Sequence, residues 1–201
     1  MSKKNRRFRG ISLLEILVAI AILILVAAVA AQSTGTTLRR QQMINHLRWY
    51  KATIVRARSR AIETTSPVRF QRTLSTNHVQ AVLDTERTGD FSVTQTVVDG
   101  DSPYEHVQSV TFGDSGLPAL PHWTGLASQG SVSEFPNDRF VILPDGRVFG
   151  GNPATNRSGT FFFKTDNDDM FGAVHVTAMG EIKMAIFYEG QEDSNDWDWT
   201  E

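Results

Sequence analysis

The sequence predicts an α+β protein, with a long N-terminal helix, hydrophobic and then amphipathic, packed on an antiparallel β-sheet head. Residues 11–31 form an almost unbroken apolar run. Residues 38–61 keep apolar side chains at three- and four-residue spacings, with no proline before Pro67. Beyond residue 66 the pattern changes to short alternating runs separated by Gly, Pro, Asn and Asp, the punctuation of strands and turns.

The first element follows from length and polarity. From Ile11 to Ala31 every residue is apolar except Ser12 and Glu15, and a helix of that length measures roughly 30 Å, the thickness of a bilayer's hydrocarbon core. Lys3, Lys4, Arg6, Arg7 and Arg9 precede it, which would hold the N-terminus on the cytoplasmic side and place the remainder across the membrane. A plain signal anchor and a signal peptide cut near Ala28-Val29-Ala30 would share these features. Neither explains Glu15, since an ionised carboxylate near the bilayer centre costs about 3 kcal/mol and needs a partner.

The run Arg9-Gly10-Ile11-Ser12-Leu13-Leu14-Glu15, followed by the apolar helix, resembles the class III leader of type IV prepilins. That resemblance implies the pilin fold. It also implies cleavage after Gly10 by a prepilin peptidase, N-methylation of the new terminus Ile11, and subunit docking through Glu15. Ile11 departs from the phenylalanine that the family mostly carries there. Cleavage would create a cationic amine four residues from Glu15, about one helical turn away. A neighbouring subunit's amine could then offset the desolvation of the carboxylate and favour stacking in axial register.

Past Ala31 the helix is expected to continue to about Glu63. Leu38, Met43, Leu47, Tyr50, Ile54, Ala57 and Ala61 form its apolar face, and Arg39, Arg40, Lys51, Arg56 and Arg60 occupy much of the rest. Thr64-Thr65-Ser66-Pro67 should end it. The resulting organisation is a leader at 1–10, a transmembrane and assembly helix at 11–31, an amphipathic stem at 32–65, and a β-rich periplasmic head with an acidic tail at 66–201.

In the head, strands are expected at Val68–Arg72, Val79–Leu83, Val107–Phe112, Phe140–Leu143, Thr160–Lys164 and Ala173–Thr177. Two more follow from alternation, with Phe91, Val93, Gln95 and Val97 on one buried face and Ile182, Met184, Ile186 and Tyr188 on another. Leu143-Pro144-Asp145-Gly146-Arg147 and Met179-Gly180-Glu181 read as tight hairpins, and residues 115–137 as a long irregular loop. Phe140-Val141-Ile142-Leu143-Pro144-Asp145-Gly146, with Val174-His175-Val176-Thr177 and Gly180-Glu181-Ile182, resembles the H-type minor pseudopilins and FimT-like minor pilins. This implies a structural role in a type II secretion pseudopilus or a type IV pilus, supporting assembly and protein secretion.

Composition narrows the chemistry. The 201 residues suffice for one ordinary domain and an appendage. The absence of cysteine excludes disulfides, thiolate metal sites and a cysteine nucleophile. The net charge of −2 hides a polarity, because residues 32–72 sum to +8 and residues 73–201 to −14. An acidic head repels phosphate, so DNA binding of the kind some FimT-like pilins perform is disfavoured.

Gly113-Asp114-Ser115-Gly116 matches a serine-protease loop only superficially, without that family's context around His78 or His106. His46, His78, His106, His122 and His175 lack metal-ligand spacing. Asp166-Asn167-Asp168-Asp169 lacks the late glutamate of a calcium loop and reads as a solvated turn. The tail from Glu189, with Trp197 and Trp199, reads as a mobile charged terminus; the competing reading anchors the tryptophans on a neighbouring pilin. No enzyme activity and no cofactor are expected. The partners implied are other pilins or pseudopilins, the prepilin peptidase, an inner-membrane assembly platform, and membrane lipid before assembly. The location implied is the bacterial inner membrane, single-pass, with the head in the periplasm or on a filament.

Overall fold

The computed structural model describes residues 13–72, 78–100, 110–113, 135–150, 158–165, 167, 169–188 and 197–200. A single helix, α1 (Leu13–Thr64), is followed by β1 (Val68–Arg72), β2 (Val79–Asp84), β3 (Thr94–Gly100) and β4 (Val110–Phe112). A 3-10 turn (Pro136–Asp138) comes next, then β5 (Arg139–Ile142), β6 (Val148–Phe149), β7 (Gly159–Thr165), β8 (Met170–Val176), β9 (Ile182–Tyr188) and β10 (Asp198–Thr200). The chain divides into two compact units, Met1–Arg39 and Arg40–Glu201. The expected α+β class is the one observed.

In the first unit the described residues are helical. Leu, Ile, Val and Ala residues favour this conformation or are tolerated in it, and from Leu13 to Ala28 all of their side chains are exposed. Leu38, expected on the buried face, is also exposed, at 52%, and belongs to this unit and not to the packed one.

The second unit begins within the helix. Met43, Leu47, Tyr50, Ile54, Ala57 and Ala61 are all buried, as their spacing requires of one helical face. They share a core with residues of both sheets, including Val68, Phe70 and Phe140 on one side and Phe161, Phe163, Val174 and Ile186 on the other. Tyr50 is its aromatic hub, with ring centroids 5.6 Å from Phe70, 5.3 Å from Phe161 and 5.0 Å from Phe163. Gly172 on β8 permits the close approach of the helix, because a Cβ there would lie 2.8 Å from the Met43 Sδ.

The helix stops as its sequence dictates, with one irregularity. Thr65 turns to φ +53. Its N–H donates to the Ile62 carbonyl at 3.3 Å, and the Ser66 N–H donates to the Ala61 carbonyl at 3.2 Å. This is the pair of bonds that closes a helix in the Schellman arrangement, where the left-handed residue is usually glycine. Here a β-branched residue occupies it, at a steric cost, and Pro67 then bars further helix.

The first sheet has the order β3-β2-β1-β5-β6 and the second β10-β9-β8-β7-β4, with every pairing antiparallel. β1 matches its expected limits, and β2, β5, β7 and β8 differ from theirs by one to three residues at an end. β3 begins at Thr94 and not at Phe91, which sits at φ +56 and leaves the strand path. Contrary to the expected buried face, β3 is a largely exposed edge on which Val97 and Val98 are only partly buried, and Val93 just before it is 47% exposed. A register shift between Ala81 and Val82 places Val98 opposite Ala81 but Thr96 opposite Val82, and such a bulge breaks the regular alternation.

β9 departs differently. Alternation predicted one buried face, yet Ala185 and Phe187 are buried as well as Met184 and Ile186. They join Phe162, Phe171, Ala173 and Trp197 in a second apolar cluster, so the second sheet is buried on both faces. That is why β7 and β8 read as continuous apolar runs. Trp197 is part of this layer, 4% exposed and 5.3 Å from the Phe187 ring, and β10 pairs with β9 through Asp198↔Ile186 and Thr200↔Met184. The mobile-terminus expectation therefore fails at 197–200, and Trp197 anchors within its own chain.

Both expected hairpin turns form. Gly146 at φ +83 and Gly180 at φ +78 each donate to a carbonyl three residues back, Leu143 at 2.9 Å and Thr177 at 2.8 Å. The residues expected at 107–109, and most of the loop at 115–137, lie outside the described residues.

Candidate functional site

The expected processing residues Gly10 and Ile11 lie outside the described residues. Glu15 lies in the first turn of α1 and is exposed. Around and after it Leu13, Leu14, Ile16, Leu17, Val18, Ile20, Ile22, Leu23, Ile24, Leu25 and Val26 are between 48% and 77% exposed. A helix apolar on every side is one that other apolar matter covers, and so extended an exposed apolar surface marks an interaction site. Among the described residues no helix is long and apolar enough to cross a membrane. The apolar side chains that are described, Leu13–Ala28, correspond to about 24 Å of helix.

Elsewhere the candidates for chemistry resolve into structure. His46 is buried, with both ring nitrogens lacking a hydrogen-bond partner, and it meets the Phe163 ring edge-on at 4.9 Å. Burial lowers its pKa to about 4. His175 is paired with the Thr160 hydroxyl at 2.8 Å, and burial, with Lys183 nearby, lowers it also to about 4. His78 is held by Asp99 across β2 and β3. His106 and His122 lie outside the described residues. Among the described residues no group of His, Asp or Glu could hold a metal.

Of the acidic turn at 166–169, Asp166 and Asp168 lie outside the described residues, while Asp169 accepts a hydrogen bond from the Thr165 hydroxyl at 2.5 Å. Of the protease-like loop only Gly113 is described, its N–H donating to the Phe162 carbonyl at 3.0 Å, so the serine lies outside the described residues.

Sequence reading missed the roles of three arginines that it counted only as charge. Arg58 reaches from α1 to the two hairpin turns, donating to the Gly180 carbonyl at 2.9 Å. Arg72 makes a buried ion pair with Asp138 at 3.1 Å. Arg69 lies beside Arg139 in a surface cleft. Two of them left a signal in the alternation of β1: Arg69 must point away from the core residues Val68 and Phe70, whereas Arg72 falls on their face and therefore needs a buried partner.

No curated protein and no solved structure matches this chain. Residues 5–31 match the prokaryotic N-terminal methylation motif. The matched stretch takes in Gly10, Ile11 and Glu15 and ends with the apolar segment. Joined to a helix that runs on into an antiparallel β head, that motif supports a type IV pilin-like protein, processed by a prepilin peptidase and assembled with other pilins.

Proposed function

We propose that this chain is a minor pilin or pseudopilin, a structural subunit without enzymatic activity, serving a type II secretion pseudopilus or a type IV pilus. Before assembly the helix at 11–31 spans the bacterial inner membrane once, with the head in the periplasm. After cleavage behind Gly10 and methylation of Ile11, the subunit is drawn through an assembly platform into a filament. The carrying observation is the methylation motif at residues 5–31 leading into an exposed apolar helix with one carboxylate, Glu15.

In this reading the exposed side chains of Leu13–Val26 are covered first by lipid and then by the helices of other subunits. The amine of a neighbouring Ile11 neutralises Glu15 as it leaves water, since a charge moved into apolar surroundings needs a partner. Support for the H-type reading comes from the tight hairpins at Gly146 and Gly180. The test is intact-mass analysis of the membrane-extracted protein. The expected product begins at methylated Ile11, and Gly10→Val leaves the leader attached and abolishes filament incorporation. A mature protein with another N-terminus would sink the reading.

A further inference from the structure

The outer face of the first sheet carries a cleft of about 230 Å³ that the filament reading does not use. Its position follows from register. β1 pairs with β5 through Val68↔Ile142, Arg69↔Val141, Phe70↔Phe140 and Gln71↔Arg139. Val68, Phe70, Phe140 and Ile142 face the core, so Arg69, Arg139 and Val141 emerge together on the opposite side. The segment between β2 and β3 folds over them. It is organised by the buried Asp84, whose carboxylate accepts the N–H groups of Glu86 at 3.2 Å and Gly89 at 2.6 Å. Phe91, at φ +56, places its ring 4.8 Å from the Arg69 guanidinium carbon.

The cleft has apolar walls from Pro67, Phe91, Val141 and Leu143 and two guanidinium groups. Neither arginine has a carboxylate partner among the described residues, and the Arg69 Nε is shielded from solvent without a hydrogen-bond acceptor. Burial, and then the nearby Arg139 charge, pulls Arg69 below its ordinary value. Asp90 also lines the cleft. Its Oδ1 accepts hydrogen bonds from the Thr88 hydroxyl at 2.7 Å and the Ser92 N–H at 2.9 Å. Two guanidinium charges and one carboxylate leave a single positive charge unbalanced, beside a donor that lacks an acceptor.

We propose that this cleft binds one carboxylate on a short apolar stem, namely a glutamate side chain presented by an adjoining protein chain. A monoanion balances the charge, whereas a phosphate dianion would overshoot it beside Asp90. Guanidinium donors suit the planar carboxylate, and the hydrocarbon stem of glutamate suits the apolar walls.

The test uses the full chain in detergent micelles at low ionic strength. Anisotropy of a labelled peptide, one glutamate flanked by leucine and glycine, is read with unlabelled butyrate and inorganic phosphate as competitors. The peptide is expected to bind salt-sensitively. Arg69→Gln and Arg139→Gln each weaken it about tenfold, as loss of a charge-assisted bond does. Arg69→Lys recovers part of the loss and Asp90→Asn tightens binding, while thermal unfolding of the two glutamine variants stays near that of the wild type. Absent binding, or wild-type affinity retained by both glutamine variants, overturns the proposal. Competition by phosphate stronger than by butyrate overturns the carboxylate assignment, and butyrate binding as tightly as the peptide overturns the adjoining-chain occupant.

Discussion

Thr65 and His46 each hold a conformation or environment that their chemistry resists. At φ +53 the branched Thr65 side chain crowds its own backbone, and glycine would relieve this while keeping both closing bonds of the helix. Thr65→Gly is expected to raise stability by about 1 kcal/mol, measured as a higher denaturant midpoint at unchanged slope. The His46 ring is buried without a hydrogen-bond partner for either nitrogen, and burial holds its pKa at about 4 against an ordinary 6.5. Between those values the unfolded chain binds a proton that the native chain refuses, so stability falls as pH drops from about 6.5 to 4 and levels below that. The loss is of order 3 kcal/mol for His46, and His175 acts in the same direction and window. Denaturant titrations across this range should show His46→Leu with the shallower acid slope, and an identical slope would discard the assignment.

Two hairpins and one arginine join the elements of the head. The β5–β6 turn at Gly146 and the β8–β9 turn at Gly180 come face to face. A Cβ on Gly180 would lie 2.2 Å from the Gly146 carbonyl oxygen and 3.2 Å from the Arg58 guanidinium. The Val148 N–H donates to the Ala178 carbonyl at 2.9 Å, tying β6 of the first sheet to the β8–β9 turn of the second. Gly180→Ala therefore meets both a left-handed backbone and fixed backbone atoms, and should cost at least about 2 kcal/mol. A melting temperature within a degree or so of wild type would refute the clamp. The interlock also explains why β6 formed where no strand was expected. Two residues are too few for a periodic signal, and they are held by partners distant in sequence.

On the scale of the whole molecule, the apolar N-terminal helix and the β head answer to different surroundings. The head buries its apolar residues within itself, around Tyr50 and behind Phe187, whereas the segment from Leu13 to Val26 exposes them. Glu15 is the one polar group within that exposed apolar stretch. In the filament reading Glu15→Leu should leave leader removal intact but reduce incorporation into sheared filaments at least about tenfold, the consequence of losing an ion pair in apolar surroundings. Wild-type incorporation by this variant would remove the docking mechanism while leaving the methylation motif in place.

The helix, its apolar face from Met43 to Ala61, its stop before Pro67, the two glycine turns and most strands were legible in the sequence. Each is set by local chemistry: side-chain periodicity, proline's missing donor, or glycine's freedom at positive φ. The methylation motif at residues 5–31 was legible for the same reason, being a short contiguous stretch. Tertiary structure decided what depends on distant partners. It buried both faces of β9, drew Trp197 into the second cluster and paired β10, and it set Arg72 against Asp138 and Arg69 beside Arg139. A linear charge count could not foresee these pairings, because whether an arginine is a solvated charge, a clamp or a cleft wall depends on which strand register brings to its side.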